Sequence, residues 1–101
     1  MELKERCQKA YESYVMKEFG ESEVRSLDFT KEIYLAYTTT EDDEKELQVS
    51  YDPVQEVYKN YIDNELVETE SVPFERFVND LEELSFDAFI ETVWYIATRE
   101  E

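Results

Sequence analysis

The sequence contains no histidine, one glycine, one cysteine and two prolines. Histidine is the commonest general base and a frequent ligand of transition metals, so its absence argues against the usual catalytic triads and most zinc sites. A single glycine, Gly20, cannot form the glycine-rich loops that hold phosphates in nucleotide-binding proteins. The sequence therefore predicts a protein that is not an enzyme and that uses neither a cofactor nor a metal.

The one cysteine, Cys7, has no partner for an intramolecular disulfide. Its spacing from Leu3 and Ala10 places it on an apolar helix face, where a thiol behaves as a small buried hydrophobe. The chain has no apolar run long enough to span a membrane, and its first residues lack the apolar stretch of a signal peptide. We therefore expect a cytoplasmic protein that does not interact with membranes.

Acidic residues are abundant, with 27 Asp and Glu against 10 Lys and Arg, which gives a net charge of −17. Residues 51–101 hold 14 of the acids and 3 of the bases. Such a charge repels nucleic acid and attracts basic partners at long range. Hydrophobic residues nevertheless make up 42% of the 101 residues, enough to bury one core. The length and composition predict a single acidic domain over residues 1–101.

Hydrophobic periodicity predicts an N-terminal helix over residues 2–19, where apolar residues recur at steps of three and four. Gly20 follows directly and marks the end of that helix. Residues 33–40 and 47–51 are then rich in aromatic and β-branched side chains, and a charged stretch separates them. This pattern predicts a β-hairpin with a polar tip.

A second hairpin is predicted between residues 57–62 and residues 66–69, joined by a turn in which Asn64 takes the left-handed conformation. A helix over residues 54–66 stays open as an alternative, because Val54, Val57, Tyr58 and Tyr61 also fit a period of 3.6.

Two short helices are predicted at the C-terminal end, one beginning near Pro73 and one after Ser85. The predicted fold class is thus α+β, with an N-terminal helix, an antiparallel sheet of about four strands and two C-terminal helices packed on the sheet. We expect three helices on one face of the sheet. The predicted core consists of Leu3, Tyr14, Val15, Leu35, Val49, Ile62, Phe77, Leu81, Phe89, Ile90 and Trp94.

The excess of acids is the main indication of function. Hairpin tips and exposed strand faces present charge rigidly, so the predicted partner-binding face consists of Glu41, Asp42, Asp43, Glu44, Glu65, Glu68 and Glu70. The first four could also bind a divalent cation weakly through oxygen ligands, but they lack the alternating acids and central glycine of a calcium loop. An exposed, solvated hairpin tip is the simpler interpretation of that run.

Three functions are compatible with these residues. The first is a non-enzymatic binding or accessory protein whose acidic face docks on a basic protein surface, such as that of a nucleic-acid-binding protein. The second is a DNA mimic that inhibits a nucleic-acid-binding host-defence protein by presenting carboxylates in place of phosphates. The third is a small hydrolase or metal-binding protein that uses clustered carboxylates. None of the three involves direct binding of nucleic acid by this chain.

The hydrophobic pattern Leu47-x-Val49-x-Tyr51, the turn region 61–67 and the segment 77–87 together resemble small acidic accessory proteins of bacterial mobile elements. Some of these are similar to domains attached to the large polyvalent proteins of conjugative elements and phages. The resemblance covers about residues 30–95. It implies a role beside conjugation, DNA processing or evasion of host defence, and it assigns no functional residue.

Overall fold

The computed structural model describes residues 2–42 and 44–99. A short 3₁₀ turn at Glu21–Glu23 lies in the connection that follows the first helix. The main elements, in chain order, are α1 (Leu3–Glu18), β1 (Ile33–Thr39), β2 (Glu46–Asp52), β3 (Val57–Ile62), β4 (Glu65–Ser71), α2 (Phe74–Glu83) and α3 (Phe86–Arg99). The predicted α+β fold class is confirmed.

Helix α1 ends just before Gly20, as the sequence predicts. The amide N–H groups of Phe19 and Gly20 both donate to the carbonyl of Val15, at 2.8 and 2.9 Å. Gly20 then adopts a φ of 102°, a backbone conformation that residues with a Cβ rarely take. The chain can therefore leave the helix abruptly and run as a long connection toward β1.

The four strands form one antiparallel sheet in the order β1-β2-β3-β4, so β1 and β4 are its two edges. Asp63 and Asn64 connect β3 to β4 with φ angles of 51° and 67°, the left-handed pair that a two-residue hairpin turn requires. The alternative helix over residues 54–66 is wrong. Burial along β3 alternates strictly from residue to residue, and the exposed Val54 would have lain on the buried face of that helix.

All three helices pack on one face of the sheet. Tyr51 of β2 stacks on Phe77 of α2 with ring centroids 3.9 Å apart, and Tyr14 of α1 meets Phe89 of α3 edge to face at 5.4 Å. The Tyr14 hydroxyl donates to the carbonyl of Leu35 in β1 at 2.7 Å. Burial of a ring such as that of Phe77 contributes about 1.5–3 kcal/mol to the free energy of unfolding.

The predicted core is buried except for Leu3 and Trp94, which are partly buried at its margin. Among the described residues, no helix combines the length and the hydrophobicity needed to cross a membrane.

Candidate acidic interface

The β1–β2 loop and the β3–β4 turn lie at the same end of the sheet and are hydrogen-bonded to each other. The amide N–H of Asp63 donates to the carbonyl of Glu46 at 2.8 Å, and the amide N–H of Glu46 donates to Asp63 Oδ1 at 2.9 Å. This pair of bonds connects the β1–β2 loop to the β3–β4 turn. We call the exposed acids collected here the acidic end: Glu41, Asp42, Glu44, Glu46, Asp63 and Glu65.

The β1–β2 loop within the acidic end is ordered by its own side chains. Thr40 Oγ1 donates to Asp42 Oδ1 at 2.8 Å, and the amide N–H of Lys45 donates to Thr40 Oγ1 at 3.2 Å. The hydrogen bond from Thr40 lowers the pKa of Asp42 below its usual value. Asp42 is therefore a fixed anion at neutral pH. The predicted binding residue Asp43 lies outside the described residues.

The one base of this loop, Lys45, does not neutralise the neighbouring carboxylates. Its Nζ donates to the carbonyl of Ala97 at 2.9 Å, near the C-terminal end of α3, where a helix attracts cations. Within residues 2–42 and 44–99, no ion pair involves a carboxylate of the acidic end. The acidic end therefore presents uncompensated negative charge to solvent.

The edge strand β4 continues this charge away from the turn. Glu65, Glu68 and Glu70 pair with Ile62, Asn60 and Tyr58 of β3, all of which are buried on the helix-covered side of the sheet. A spacing of three residues would normally place Glu65 and Glu68 on opposite faces. A bulge between the two strands at this point corrects the alternation, so that the three glutamates share one face. We call them the acid row.

The acid row lies beside α2 and α3 without being covered by them. Glu70 lines a shallow cleft with Tyr58 and Arg76, and Glu68 lines a second one with Glu91 and Arg99. All three glutamates of the row are exposed. Apart from Asp43, the predicted binding residues thus fall into two adjoining groups, the acidic end and the acid row, which share Glu65.

Two other sheet acids serve the fold instead. On the face opposite the helices, Lys59 Nζ lies 3.0 Å from Glu32 Oε1 and 3.2 Å from Asp52 Oδ2. Ser50 and Tyr61 also donate to the Glu32 carboxylate. Burial disfavours the charged form of Glu32, but these hydrogen bonds outweigh it and hold its pKa below the usual glutamate value. This carboxylate is therefore occupied by internal partners.

The single cysteine is not placed to act as a nucleophile. Cys7 is fully buried, and burial raises the pKa of its thiol to about 12, so the reactive thiolate is scarce at neutral pH. In the part of the chain that the structure describes, no group of three or more Cys, Asp or Glu residues is arranged to hold a metal ion. The acidic end and the acid row can instead attract and orient cationic groups over a broad surface.

Sequence reasoning missed a second feature, the exposed aromatic side of β1. Tyr34 and Tyr37 are 65% and 54% exposed, whereas strand preference alone would explain tyrosines as half-buried sheet residues. Residues 33–40 form the longest uncharged run of a chain in which 37% of residues are charged. That uncharged run was the signal in the sequence from which this feature could have been predicted.

In comparisons with known proteins, no family model matches the chain, and neither a curated protein nor a solved structure matches it significantly.

Proposed function

We propose that this chain is a non-enzymatic binding protein that docks the acidic end and the acid row onto a basic surface of another protein. The observation that carries the proposal is the pair of hydrogen bonds between Asp63 and Glu46, which brings two acidic turns together at one end of the sheet. Because the charges there lack internal counterions among the described residues, a partner's Lys and Arg side chains would supply them.

The spacing of the acids favours docking on a protein over imitation of DNA. Neighbouring glutamates of the acid row are two register positions apart, which corresponds to about 6–7 Å along a strand. Duplex DNA carries one charge per about 1.7 Å of its axis, so the acid row has roughly a quarter of that charge density. A surface of this density suits scattered basic side chains better than a groove built for a phosphate backbone.

The resemblance to accessory proteins of mobile elements suggests what kind of partner to look for. In our proposal the partner belongs to the machinery of conjugation or DNA processing, and a nucleic-acid-binding protein is the leading candidate. The chain would act in the cytoplasm and would contact neither nucleic acid nor a membrane directly.

The proposal is tested by affinity capture from lysate at low and at high salt, followed by identification of the bound proteins. The quadruple variant Glu41→Gln/Glu44→Gln/Glu65→Gln/Glu68→Gln removes four charges from the proposed interface. The matched control, Glu2→Gln/Glu21→Gln/Glu75→Gln/Glu83→Gln, removes four exposed charges elsewhere. Asp42 is retained in both because it orders the loop.

We expect a basic partner that is captured by the wild type and by the control, that is lost from the interface variant, and that dissociates as salt rises. Equal capture by both quadruple variants would contradict the proposed interface. Release of the partner by duplex DNA alone, at equal salt, would favour the DNA-mimic function instead.

A further inference from the structure

Three polar residues are buried in the part of the chain that the structure describes, namely Thr40, Ser50 and Asn60. The hydroxyl groups of Thr40 and Ser50 donate to the carboxylates of Asp42 and Glu32. Asn60 is only 6% exposed, yet its side-chain amide makes no hydrogen bond within residues 2–42 and 44–99. A buried polar group without a partner costs free energy, so this amide calls for an explanation.

The position of Asn60 makes the amide more unusual. It lies in β3 between Tyr58 and Ile62 on the helix-covered side of the sheet, where apolar side chains are the norm, and asparagine is depleted in strands. Among the described residues, no fully buried side-chain nitrogen or oxygen atom lacks a hydrogen bond. Both polar atoms of the Asn60 amide are therefore reachable from solvent, through a cleft that this residue lines.

This cleft is the one that Glu70 of the acid row also lines, and we call it the Asn60 cleft. Its volume is about 200 Å³, and it lies between the sheet and the helices α2 and α3. The buried side chains of Val49, Val72 and Phe89 form apolar walls. Sites for small molecules usually enclose about 300–1,000 Å³. The Asn60 cleft is thus suited to a single long side chain, whose methylene groups would pack on the apolar walls.

Two carboxylates line the Asn60 cleft beside the amide, those of Glu70 and Asp80. Asp80 Oδ2 accepts the Tyr58 hydroxyl at 2.6 Å, and no described residue donates to Asp80 Oδ1. Arg76 lines the cleft as well, but it is exposed and forms no ion pair with either carboxylate within the described ranges. The lining therefore offers several acceptors and carries a net negative charge.

These acceptors indicate a cationic occupant with several donors. An anion attracted by Arg76 would be repelled by Glu70 and Asp80. A guanidinium group has five N–H donors and no acceptor, so it can donate to an amide oxygen and to carboxylates at the same time. The ammonium group of lysine is a compact charge with fewer donors. Arginine is also enriched among the residues that dominate the binding energy of protein interfaces.

We propose that the Asn60 cleft receives one arginine side chain of the partner protein and anchors the partner beside the acid row. The cleft and its unpartnered amide stand on their own observations, whereas a protein as the source of the arginine rests on the proposed function. The acidic end and the acid row attract a basic surface, and the cleft selects arginine over lysine at one position.

The test uses the full chain and three labelled peptides, with affinity measured by fluorescence anisotropy. The peptides are octalysine, the same peptide with arginine at its fourth position, and the same with citrulline there, a neutral analogue of arginine. The arginine peptide should bind about tenfold more tightly than octalysine, because hydrogen bonds between charged groups are strong. The citrulline peptide should bind no more tightly than octalysine.

Nuclear magnetic resonance locates the contact. The side-chain amide signals of Asn60 should shift with the arginine peptide. Those of Asn79, which already accepts a hydrogen bond from Arg6, should not.

Asn60→Leu replaces the amide with an apolar group of similar size and should abolish the preference for arginine over lysine. Thermal unfolding should show no loss of stability, since an unpartnered buried amide is removed. Thr92→Val provides a second variant that does not alter the core, because Thr92 is exposed and lines the cleft. It should reduce the preference, whereas the control Thr98→Val, elsewhere on α3, should not.

The outcomes separate this inference from the proposed function. Equal affinity of the wild type for octalysine and the arginine peptide would overturn the inference and leave the proposed function intact. A preference for arginine that survives both Asn60→Leu and Thr92→Val would place the arginine elsewhere and would also overturn it. Failure of all three peptides to bind would contradict both.

Discussion

The two edges of the sheet differ in what protects them from pairing with another chain. β4 is exposed throughout, and its three glutamates, Glu65, Glu68 and Glu70, together with its bulge discourage strand addition. β1 carries no charge and exposes two tyrosines, but it too contains a bulge, and α1 covers part of its outer edge through the bond from the Tyr14 hydroxyl to the Leu35 carbonyl. The comparison teaches that one sheet can protect one edge with charge and the other with a packed helix.

The acids on the two faces of the sheet also differ in their internal partners. On the open face, Glu32 and Asp52 share Lys59 and are held by internal hydrogen bonds. On the helix-covered side, the acid row has no such partner among the described residues. The acids of the proposed interface differ from Glu32 and Asp52 in that they are exposed and form no ion pair among the described residues.

The largest expected effect comes from a substitution in the core that supports both edges of the sheet. Phe77→Ala removes a fully buried ring that stacks on Tyr51 and touches Tyr58. The free energy of unfolding should fall by about 3–5 kcal/mol, measured by urea denaturation. Hydrogen exchange should speed up at both β1 and β4, because both depend on the same core. Exchange confined to one edge would show that the edges are stabilised separately.

Lys59→Met should destabilise the open face by about 1–3 kcal/mol at neutral pH, since it leaves Glu32 and Asp52 partly buried without a cation. Lys9→Met, at an exposed position of α1, is the control. The loss should be greater at the start of β1, next to Glu32, than at β4. Site-resolved hydrogen exchange measures that difference, and an equal effect on both edges would contradict it.

The same variant should show a defined pH dependence. Hydrogen bonds outweigh burial and hold the folded-state pKa values of Glu32 and Asp52 below 4.5 and 3.8, respectively. The stabilisation that these two carboxylates contribute is therefore complete above their usual pKa values. It is lost as pH falls through their lowered, folded-state pKa values. The stability difference between wild type and Lys59→Met should shrink in acid. A difference that is unchanged from neutral pH to about pH 3 would contradict this assignment.

Asp63→Ala should separate the two hairpin turns. The Glu46 amide loses its acceptor, and the positive φ at this position disfavours alanine, so a loss of about 1 kcal/mol is expected. Asp63→Asn keeps both the acceptor oxygen and the tolerance of positive φ and should restore stability. If alanine and asparagine behave alike in thermal unfolding, the bond does not join the turns.

The smallest effect is expected from charges placed on the edges themselves. Tyr34→Lys on β1 and Thr69→Lys on β4 alter exposed side chains and should each change stability by less than about 0.5 kcal/mol. On prolonged warming, however, Tyr34→Lys should aggregate less than the wild type, because it replaces an exposed aromatic side chain of an uncharged strand with a charge. Thr69→Lys should not differ from the wild type, because β4 already carries three glutamates. Light scattering measures this, and equal benefit from both changes would remove the contrast between the edges.

Much of the fold could be predicted because its signals are local. The stripe of α1, Gly20 at its end and the Asp63-Asn64 turn each depend on neighbouring residues. The competing helix over residues 54–66 illustrates the limit, since short apolar runs fit both periods. In the structure, the Asp63-Asn64 turn and the alternating burial of β3 show that this segment is a strand and not a helix.

The proposed interface could be predicted only in part, because its arrangement depends on pairing between residues far apart in the sequence. The bulge that aligns Glu68 with Glu65 arises from the register of β4 against β3. The position of β1 at an edge follows from strand order, which residues 33–40 do not specify. Likewise, nothing near Glu32 in the sequence indicates that Lys59 neutralises it.

The central claim is that uncompensated acids at one end of the sheet form the docking surface. The most direct measurement is an amide chemical-shift titration of the full chain with octalysine, used as a minimal basic probe. We predict that shifts concentrate at the acidic end and the acid row and disappear as salt is raised. Shifts of equal size at the exposed acids of α1 and α2 would contradict the account.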